Sequence, residues 1–297
     1  RIGLGLQGNF NAIVAILAPI IVLSLTFENY TGFDRIYSRM LAIVNVSTIF
    51  IVLCGLVDVV SNYAVSKFFT NLYDVSSLYS MLNSGRIVSY FGHSLLTAEM
   101  MLIYYFLNFM KWNCISKDHN MVIPIIVSVV GIGLTGSKTG VVLILLMIFI
   151  TFFNFRMMKY IPILLFAGII LYRFGIFNLV SERFLYGIST GDLSTGRNTM
   201  ILDLFESGKY QFHVFYGNSV PIIGDALVAA TEYPIIRWAF RYGICFTVLI
   251  SIVIFLRPII RFIKGKNFRV LLMVLIFIID VNSYSTLTTT TDGMLIY

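Results

Sequence analysis

Asp192-Leu193-Ser194-Thr195-Gly196-Arg197-Asn198 lies in a polar interval, residues 177–232, that separates two strongly apolar parts of the chain. The whole chain is 58% hydrophobic and 12% charged, with a mean hydropathy of +0.89. Water-soluble domains are about half apolar and about a quarter charged, so this composition predicts a protein that crosses a membrane several times. We therefore expect membrane helices to surround and hold the 192–198 segment.

Apolar runs long enough to cross a bilayer, which takes about 20 residues, recur along the chain. They predict an all-α polytopic membrane bundle that forms a single domain over residues 1–297, with 177–232 as a long extracytoplasmic loop. The chain begins at Arg1 without an initiator Met, so we expect an N-terminal portion to precede it. The predicted spans are 9–27, 40–60, 92–110, 120–135, 139–155, 160–176, 233–256 and 268–286.

The segment between the last two predicted spans, residues 257–269, is rich in lysine and arginine. Such an excess of positive charge in a short loop is typical of the cytoplasmic side of a membrane. Counting back span by span places the short basic segments around Arg35, Lys117 and Arg156 on the same side, so the assignment is consistent along the chain. The segments predicted to face outward are 61–91, the turn at 136–140 and the loop at 177–232.

The outward loop is predicted to carry two short amphipathic helices, because apolar residues recur in it at helical spacing. Ser194 or Thr195 can cap the second helix, which places Arg197 near its first turn beside exposed backbone N–H groups. Such a helix start attracts phosphate. The spaced apolar residues are Phe177, Leu179, Val180 and Phe184 in the first helix, and Met200, Ile201, Leu204 and Phe205 in the second.

Five basic side chains are predicted to lie outside the membrane or at shallow depth in it, where they are candidates for binding an anion. Arg237 and Arg241 are four residues apart and share one face of a helix. A charge within a span is costly and usually faces the bundle interior or a wet cavity. The alternatives are that both extend to the interface beside Trp238, and that Lys138 lies in a simple solvated turn. The five candidates are Arg86, Lys138, Arg197, Arg237 and Arg241.

Acidic and histidine candidates are fewer. Glu232 lies at the predicted outer mouth of the seventh span, where it is either a base or the partner of a neighbouring arginine. His93 lies on the predicted outer side and is a further candidate, although a single histidine usually has a structural role. Glu99 is expected to pair with a buried cation, and Asp58 and Asp280 lie near outer ends of spans, where they can line the same cavity.

Several chemistries are excluded by the absence of their motifs from the sequence. The chain has no P-loop, no GxGxxG after a strand, no HExxH, no GxSxG and no Cys/His metal spacing. It also lacks an Asp-x-Asp pair for Mg²⁺ and a basic, aromatic-rich face for nucleic acid. We therefore expect no metal, no cofactor and no nucleic-acid partner. A cationic site with one carboxylate suits transfer from a diphosphate leaving group, because cations stabilise the charge that develops on it.

Four short motifs, taken in order, resemble the O-antigen polymerase and ligase superfamily, of the Wzy type. Arg86-Ile-Val-Ser-Tyr-Phe-Gly-His93 resembles its Arg and Phe-Gly-His pattern at the start of a membrane helix, and Leu134-Thr-Gly-Ser-Lys-Thr-Gly140 resembles its Ser-Arg/Lys-Thr-Gly turn. Thr195-Gly-Arg-Asn198 resembles the Gly-Arg of the long external loop, and residues 232–243 resemble the motif that ends in glycine. The resemblance runs from about Arg86 to the last predicted span.

This resemblance implies a glycosyltransferase of the bacterial plasma (inner) membrane that joins oligosaccharide repeat units carried on undecaprenyl diphosphate, for O-antigen or capsular polysaccharide. Both donor and acceptor would be lipid-linked, and a chain-length regulator protein is an implied partner. By position, Arg86, Lys138 and Arg197 would contact the diphosphate. The ligase branch typically has a His-Asn pair where this chain has Glu232-Tyr233, which favours a polymerase with Glu232 as the base. The alternatives are a ligase and a flippase or exporter of lipid-linked sugars.

Overall fold

The structure, a computed structural model, describes residues 32–73, 82, 85–87, 89, 93–152, 159–191, 202–203, 206, 211–217 and 233–283. Within these ranges the protein is helical and contains no strand, which confirms the predicted all-α class. The first predicted span, 9–27, lies outside the described residues. The helices are α1 (Phe33–Val60), α2 (Ala64–Tyr73), α3 (Ser94–Met110), α4 (Val122–Thr135), α5 (Lys138–Phe152), α6 (Ile161–Arg173), α7 (Asn178–Ser189), α8 (Pro234–Tyr242), α9 (Ile244–Lys264) and α10 (Phe268–Ser283).

Two helices in the described part of the chain, α1 and α9, are long and apolar enough to cross a membrane. Only 28% of the most apolar window of α1, and 17% of that of α9, is buried within the protein. Large apolar side chains therefore point outward, among them Met40 and Phe50 on α1 and Leu249 on α9. The helices α4 and α5 are also apolar but shorter.

The chain divides into two compact units, and the larger one contains residues 34–195 and 267–280. Its centre is formed by α3, α4 and α5. Gly131 of α4 lets that helix approach Met101 of α3, because a Cβ at this glycine would collide with the methionine sulfur. The Tyr105 hydroxyl of α3 lies 2.7 Å from the Thr151 hydroxyl of α5. These contacts fix the three helices that place the candidate site.

Asp58, at the end of α1, has a structural role in this unit. Its carboxylate accepts the backbone N–H of Val65 at 2.7 Å and the hydroxyl of Ser66 at 2.6 Å, and it is fully buried. A carboxylate at this position satisfies backbone donors that the first turn of a helix leaves unpaired. Asp58 therefore caps the N-terminus of α2.

The described part of the smaller unit contains α8 and α9, together with residues 211–217. The prediction of one continuous span over 233–256 is wrong, because the helix breaks at Gly243, whose φ is +95°. A side chain there would meet the backbone of Tyr216, with a Cβ only 2.8 Å from its nitrogen. After the break, α9 continues through a π-helical turn at Ile252–Leu256 and ends at Lys264. The basic residues from Arg257 to Lys264 thus lie on the end of this helix.

Candidate anion-binding site at the turn between α4 and α5

The turn between α4 and α5 begins with Gly136, which ends α4 in the left-handed conformation with φ of +64°. Glycine adopts this conformation without the steric cost that a Cβ imposes. The space around it is also closed, since a Cβ would lie 2.5 Å from Cδ2 of Leu179. Both observations explain why a glycine occupies this position.

Lys138 opens α5 directly after this turn. Ser137 is buried, and its Oγ accepts the backbone N–H of Gly140 at 3.1 Å, which caps the helix. The helix dipole favours negative charge at a helix start, so a lysine in the first turn does not serve helix stability. Lys138 is half-buried at this helix start, where its ammonium adds to the positive end of the helix dipole.

Arg86 reaches the same turn from a distant part of the sequence. Its Nε donates to the carbonyl oxygen of Thr135 at 3.1 Å. The backbone around it is fixed from both sides, because the N–H of Ile87 donates to Leu134 at 3.4 Å and the hydroxyl of Tyr63 donates to the carbonyl of Gly85 at 3.1 Å. Two of the five cations predicted from the sequence thus meet at one turn.

Arg183 of α7 is a third cation at this turn, and no motif in the sequence pointed to it. Its Nη1 donates to the carbonyl oxygen of Gly136. Arg86 binds the carbonyl of Thr135, so the two arginines bind consecutive residues. Arg183 follows Leu179 by four residues, and both side chains face the turn from the same side of α7. The apolar spacing in 177–184 predicted this helix, but not which partner its arginine meets.

The three cations define a site that suits a phosphate group. Guanidinium groups present planar pairs of donors that match phosphate oxygens, and a lysine ammonium adds a point charge. The carbonyl oxygens of Thr135 and Gly136 hold the guanidinium groups of Arg86 and Arg183, and Lys138 follows them as the first residue of α5. In the described residues, no group of three or more His, Cys, Asp and Glu side chains is arranged to hold a metal ion.

His93 caps α3. Its Nδ1 accepts the backbone N–H of Leu95 at 3.2 Å, and its carbonyl accepts the hydroxyl of Thr97 at 3.1 Å. These contacts give the ring a structural role at a helix start. Whether His93 also meets a ligand stays a prediction.

The remaining predicted cations and the predicted base belong to the other compact unit or lie outside the described residues. Arg237 and Arg241 lie on α8, in the other compact unit, where Arg237 is half-buried beside the buried Trp238. They are therefore on a short separate helix rather than inside a long span. The side chain of Arg241, and all of Arg197 and Glu232, lie outside the described residues.

Two carboxylates are buried in the larger unit. Glu99 of α3 and Asp280 of α10 are both 0% exposed. The two helices pack together through the stacked rings of Phe106 and Phe277, whose centroids are 4.4 Å apart. Among the described residues, neither oxygen of Asp280 has a hydrogen-bond partner. Whether Asp280 lines a cavity together with Asp58 stays a prediction.

The chain matches no protein-family model, no curated protein and no solved structure.

Proposed function

We propose that this protein is a membrane glycosyltransferase that polymerises oligosaccharide repeat units carried on undecaprenyl diphosphate, with its site on the extracytoplasmic side of a bacterial plasma membrane. The observation that carries the proposal is the meeting of Arg86 and Lys138 at one turn. Each belongs to a different one of the motifs that resemble the Wzy type. Residues that bind one ligand must lie close in space, and Arg86 binds the carbonyl of Thr135, which precedes Lys138 by three residues.

The apolar helices support a place in the membrane. The core helix of a soluble protein is mostly buried, whereas only 28% of the most apolar stretch of α1 and 17% of that of α9 is buried. Exposed side chains such as Ile43 and Val46, at 68% and 69%, are costly in water and suited to lipid. A substrate with a polyprenyl chain is delivered within this environment.

In the proposed reaction, a hydroxyl of the incoming repeat unit attacks the anomeric carbon of the reducing-end sugar on the growing chain. The bond from this carbon to the diphosphate oxygen breaks, and undecaprenyl diphosphate leaves with the electron pair. Arg86 and Lys138 stabilise the negative charge that develops on the leaving group. Glu232 is the proposed acceptor of the hydroxyl proton. The reaction needs no nucleotide sugar and no metal ion.

The test is an in vitro reaction of the purified protein in detergent with its repeat unit on undecaprenyl diphosphate. ATP, nucleotide sugar and divalent metal are left out, and EDTA is added to a parallel sample. We expect a ladder of products on a gel that EDTA does not change. No ladder, together with movement of the lipid-linked unit across liposome membranes, would reject the polymerase and indicate a transporter. Transfer of finished polymer to a separate acceptor without a ladder would indicate a ligase.

A further inference from the structure

Arg183 binds the end of α4 from a helix that lies 47 residues further along the chain. The carbonyl of Gly136, its partner, belongs to a buried residue at a helix end, where acceptors lack intrahelical donors and carry partial negative charge. A guanidinium is a charged donor, so this hydrogen bond is stronger than one from a neutral group. Arg183 therefore fixes the orientation of this peptide group.

The peptide group that Arg183 fixes leads directly into the cationic site. It joins Gly136 to Ser137, whose Oγ caps α5, and Lys138 is the first residue of that helix. A rotation of this peptide would change the direction in which Lys138 leaves the turn. Leu179 lies against the same glycine, so α7 holds the turn through two side chains on one face.

We infer that Arg183 is a positioning residue, which fixes the peptide between Gly136 and Ser137 so that Lys138 and Arg86 engage one diphosphate together. The inference rests on the proposed function, because it takes a lipid-linked diphosphate as the ligand. Arg86 binds the preceding carbonyl, so two guanidinium groups hold consecutive peptide groups of one turn. A preorganised site binds its ligand without first ordering its own groups. Loss of the hydrogen bond from Arg183 to Gly136 should therefore weaken binding.

The experiment measures the binding of undecaprenyl diphosphate to the purified protein in detergent, and it fits the Kd and the number of sites separately. Arg183→Ala removes the hydrogen bond to the carbonyl of Gly136, and Arg183→Lys keeps a charged donor. Gly136→Ala disturbs the turn without changing any charge, because its φ is positive and a Cβ there meets Leu179. Arg173→Ala is the matched control, since Arg173 is exposed in the last turn of α6.

We expect Arg183→Ala and Gly136→Ala each to raise the Kd about tenfold or more, with the number of sites unchanged, because a hydrogen bond from a charged group is lost or misplaced. Arg183→Lys should recover most of the affinity. Arg173→Ala should bind like the wild type.

Three results would overturn the positioning role. The first is an unchanged Kd in Arg183→Ala. The second is a reduced number of sites at an unchanged Kd, which would mean that Arg183 only supports folding. The third is weaker binding in Arg183→Ala with normal binding in Gly136→Ala, which would assign Arg183 to direct contact with the ligand. If the wild type itself does not bind undecaprenyl diphosphate, the proposed function fails as well. Normal binding by the wild type and all the variants would reject this inference alone.

Discussion

Two glycine-centred junctions between helices are held in opposite ways. At the turn between α4 and α5, Gly136 has φ of +64°, and the charged side chains of Arg86 and Arg183 bind carbonyl oxygens at the helix end. At the junction between α8 and α9, Gly243 has φ of +95°, and the backbone of residues 213–216 packs against the helix start. One junction is held by cations and the other by peptide groups.

This difference decides which junction suits an anion. A helix start attracts phosphate through its unpaired backbone N–H groups. At the start of α9, the N–H of Ile244 donates to the carbonyl of His213 and that of Cys245 to the carbonyl of Val214, both at 2.9 Å. These donors are already used, so this junction is structural. The turn between α4 and α5 instead gathers positive charge, as a binding site for an anion requires.

The largest expected effect comes from Arg86→Ala, which removes a cation from the charged junction. We expect the polymerisation rate to fall by about 10²- to 10³-fold, because the lost contact stabilises charge that develops on the leaving diphosphate. The measurement is the initial rate of ladder formation by purified protein, normalised to the amount of folded protein. Thermal unfolding in the same detergent separates this loss from a loss of folding.

Arg173→Ala serves as the control for Arg86→Ala, because Arg173 is an exposed arginine in the last turn of α6. Its rate should stay within about twofold of the wild type, as is usual for surface positions without a partner. Normal product ladders from Arg86→Ala would contradict the assignment of this junction as the site.

At the junction between α8 and α9, which backbone groups hold, substitutions should instead change the free energy of unfolding. Gly243→Ala forces a Cβ into a positive φ and against the backbone of Tyr216, so we expect a loss of about 3 kcal/mol or more in the free energy of unfolding. Gly191→Ala has a positive φ but open space, and should lose about 1 kcal/mol. Gly168→Ala lies inside α6 with nothing within 4 Å, and should gain about 0.5 kcal/mol. Denaturant or thermal unfolding in detergent gives the three values.

Equal stability losses in Gly243→Ala and Gly191→Ala would show that the 213–216 backbone does not pack tightly at the α8–α9 junction. A gain in Gly168→Ala without a loss in Gly191→Ala would show that the left-handed conformation is not strained in this chain.

The sequence predicted those helices that are bounded by polar turns. The predicted spans 92–110 and 120–135 correspond to Ser94–Met110 and Val122–Thr135, because each apolar run ends where polar residues begin. The span 233–256 was wrong because hydropathy does not report a positive φ, and Gly243 interrupts an otherwise apolar run. Hydropathy also misplaced the end of this helix. The predicted span ends at residue 256, whereas α9 continues through arginine and lysine residues to Lys264.

The candidate site was only partly visible in the sequence. Arg86 and Lys138 stood out because each lies in a recognisable motif beside glycine and polar residues. Arg183 did not, because its partner is a backbone carbonyl 47 residues away, and no local pattern records such a contact. The end of a helix leaves carbonyl oxygens that a cationic side chain can bind, but a glycine turn does not identify which residue does so.

A smaller effect is expected at Asp58, which closes a helix start with its own side chain. Asp58→Ala leaves the N–H groups of Val65 and Ser66 without their acceptor, and should lower the free energy of unfolding by about 2 kcal/mol. Asp58→Asn keeps one acceptor oxygen and should lose less. The measurement is the same unfolding experiment. Equal stability of Asp58→Ala and wild type would contradict the capping role and return Asp58 to the set of candidate site residues.

The smallest expected effect is a pH dependence of stability at a neutral polar cluster formed by His119, Asn108 and Asn45. This cluster contrasts with the cationic turn. The Nε2 of His119 lies 2.8 Å from Oδ1 of Asn108, whose Nδ2 donates to Asn45. Burial lowers the pKa of His119 below its ordinary 6.5, and the nearby charge of Lys111 lowers it further. The folded protein therefore favours the neutral ring and resists its protonation.

The direction of the pH effect follows from this lowered pKa. Below about pH 6.5, the unfolded chain binds a proton that the folded protein does not yet bind, so stability is lost as the pH falls from 6.5 through the lower pKa of the folded state. Because His119 is only half-buried, solvent screening keeps the loss below about 1 kcal/mol. His119→Gln retains an amide that can bond to Asn108 but has no proton to gain. Between pH 7.5 and 5.5, its unfolding temperature should therefore fall less than that of the wild type. Equal decreases would mean that His119 titrates alike in both states, and that this cluster stabilises the fold only through its neutral hydrogen bonds.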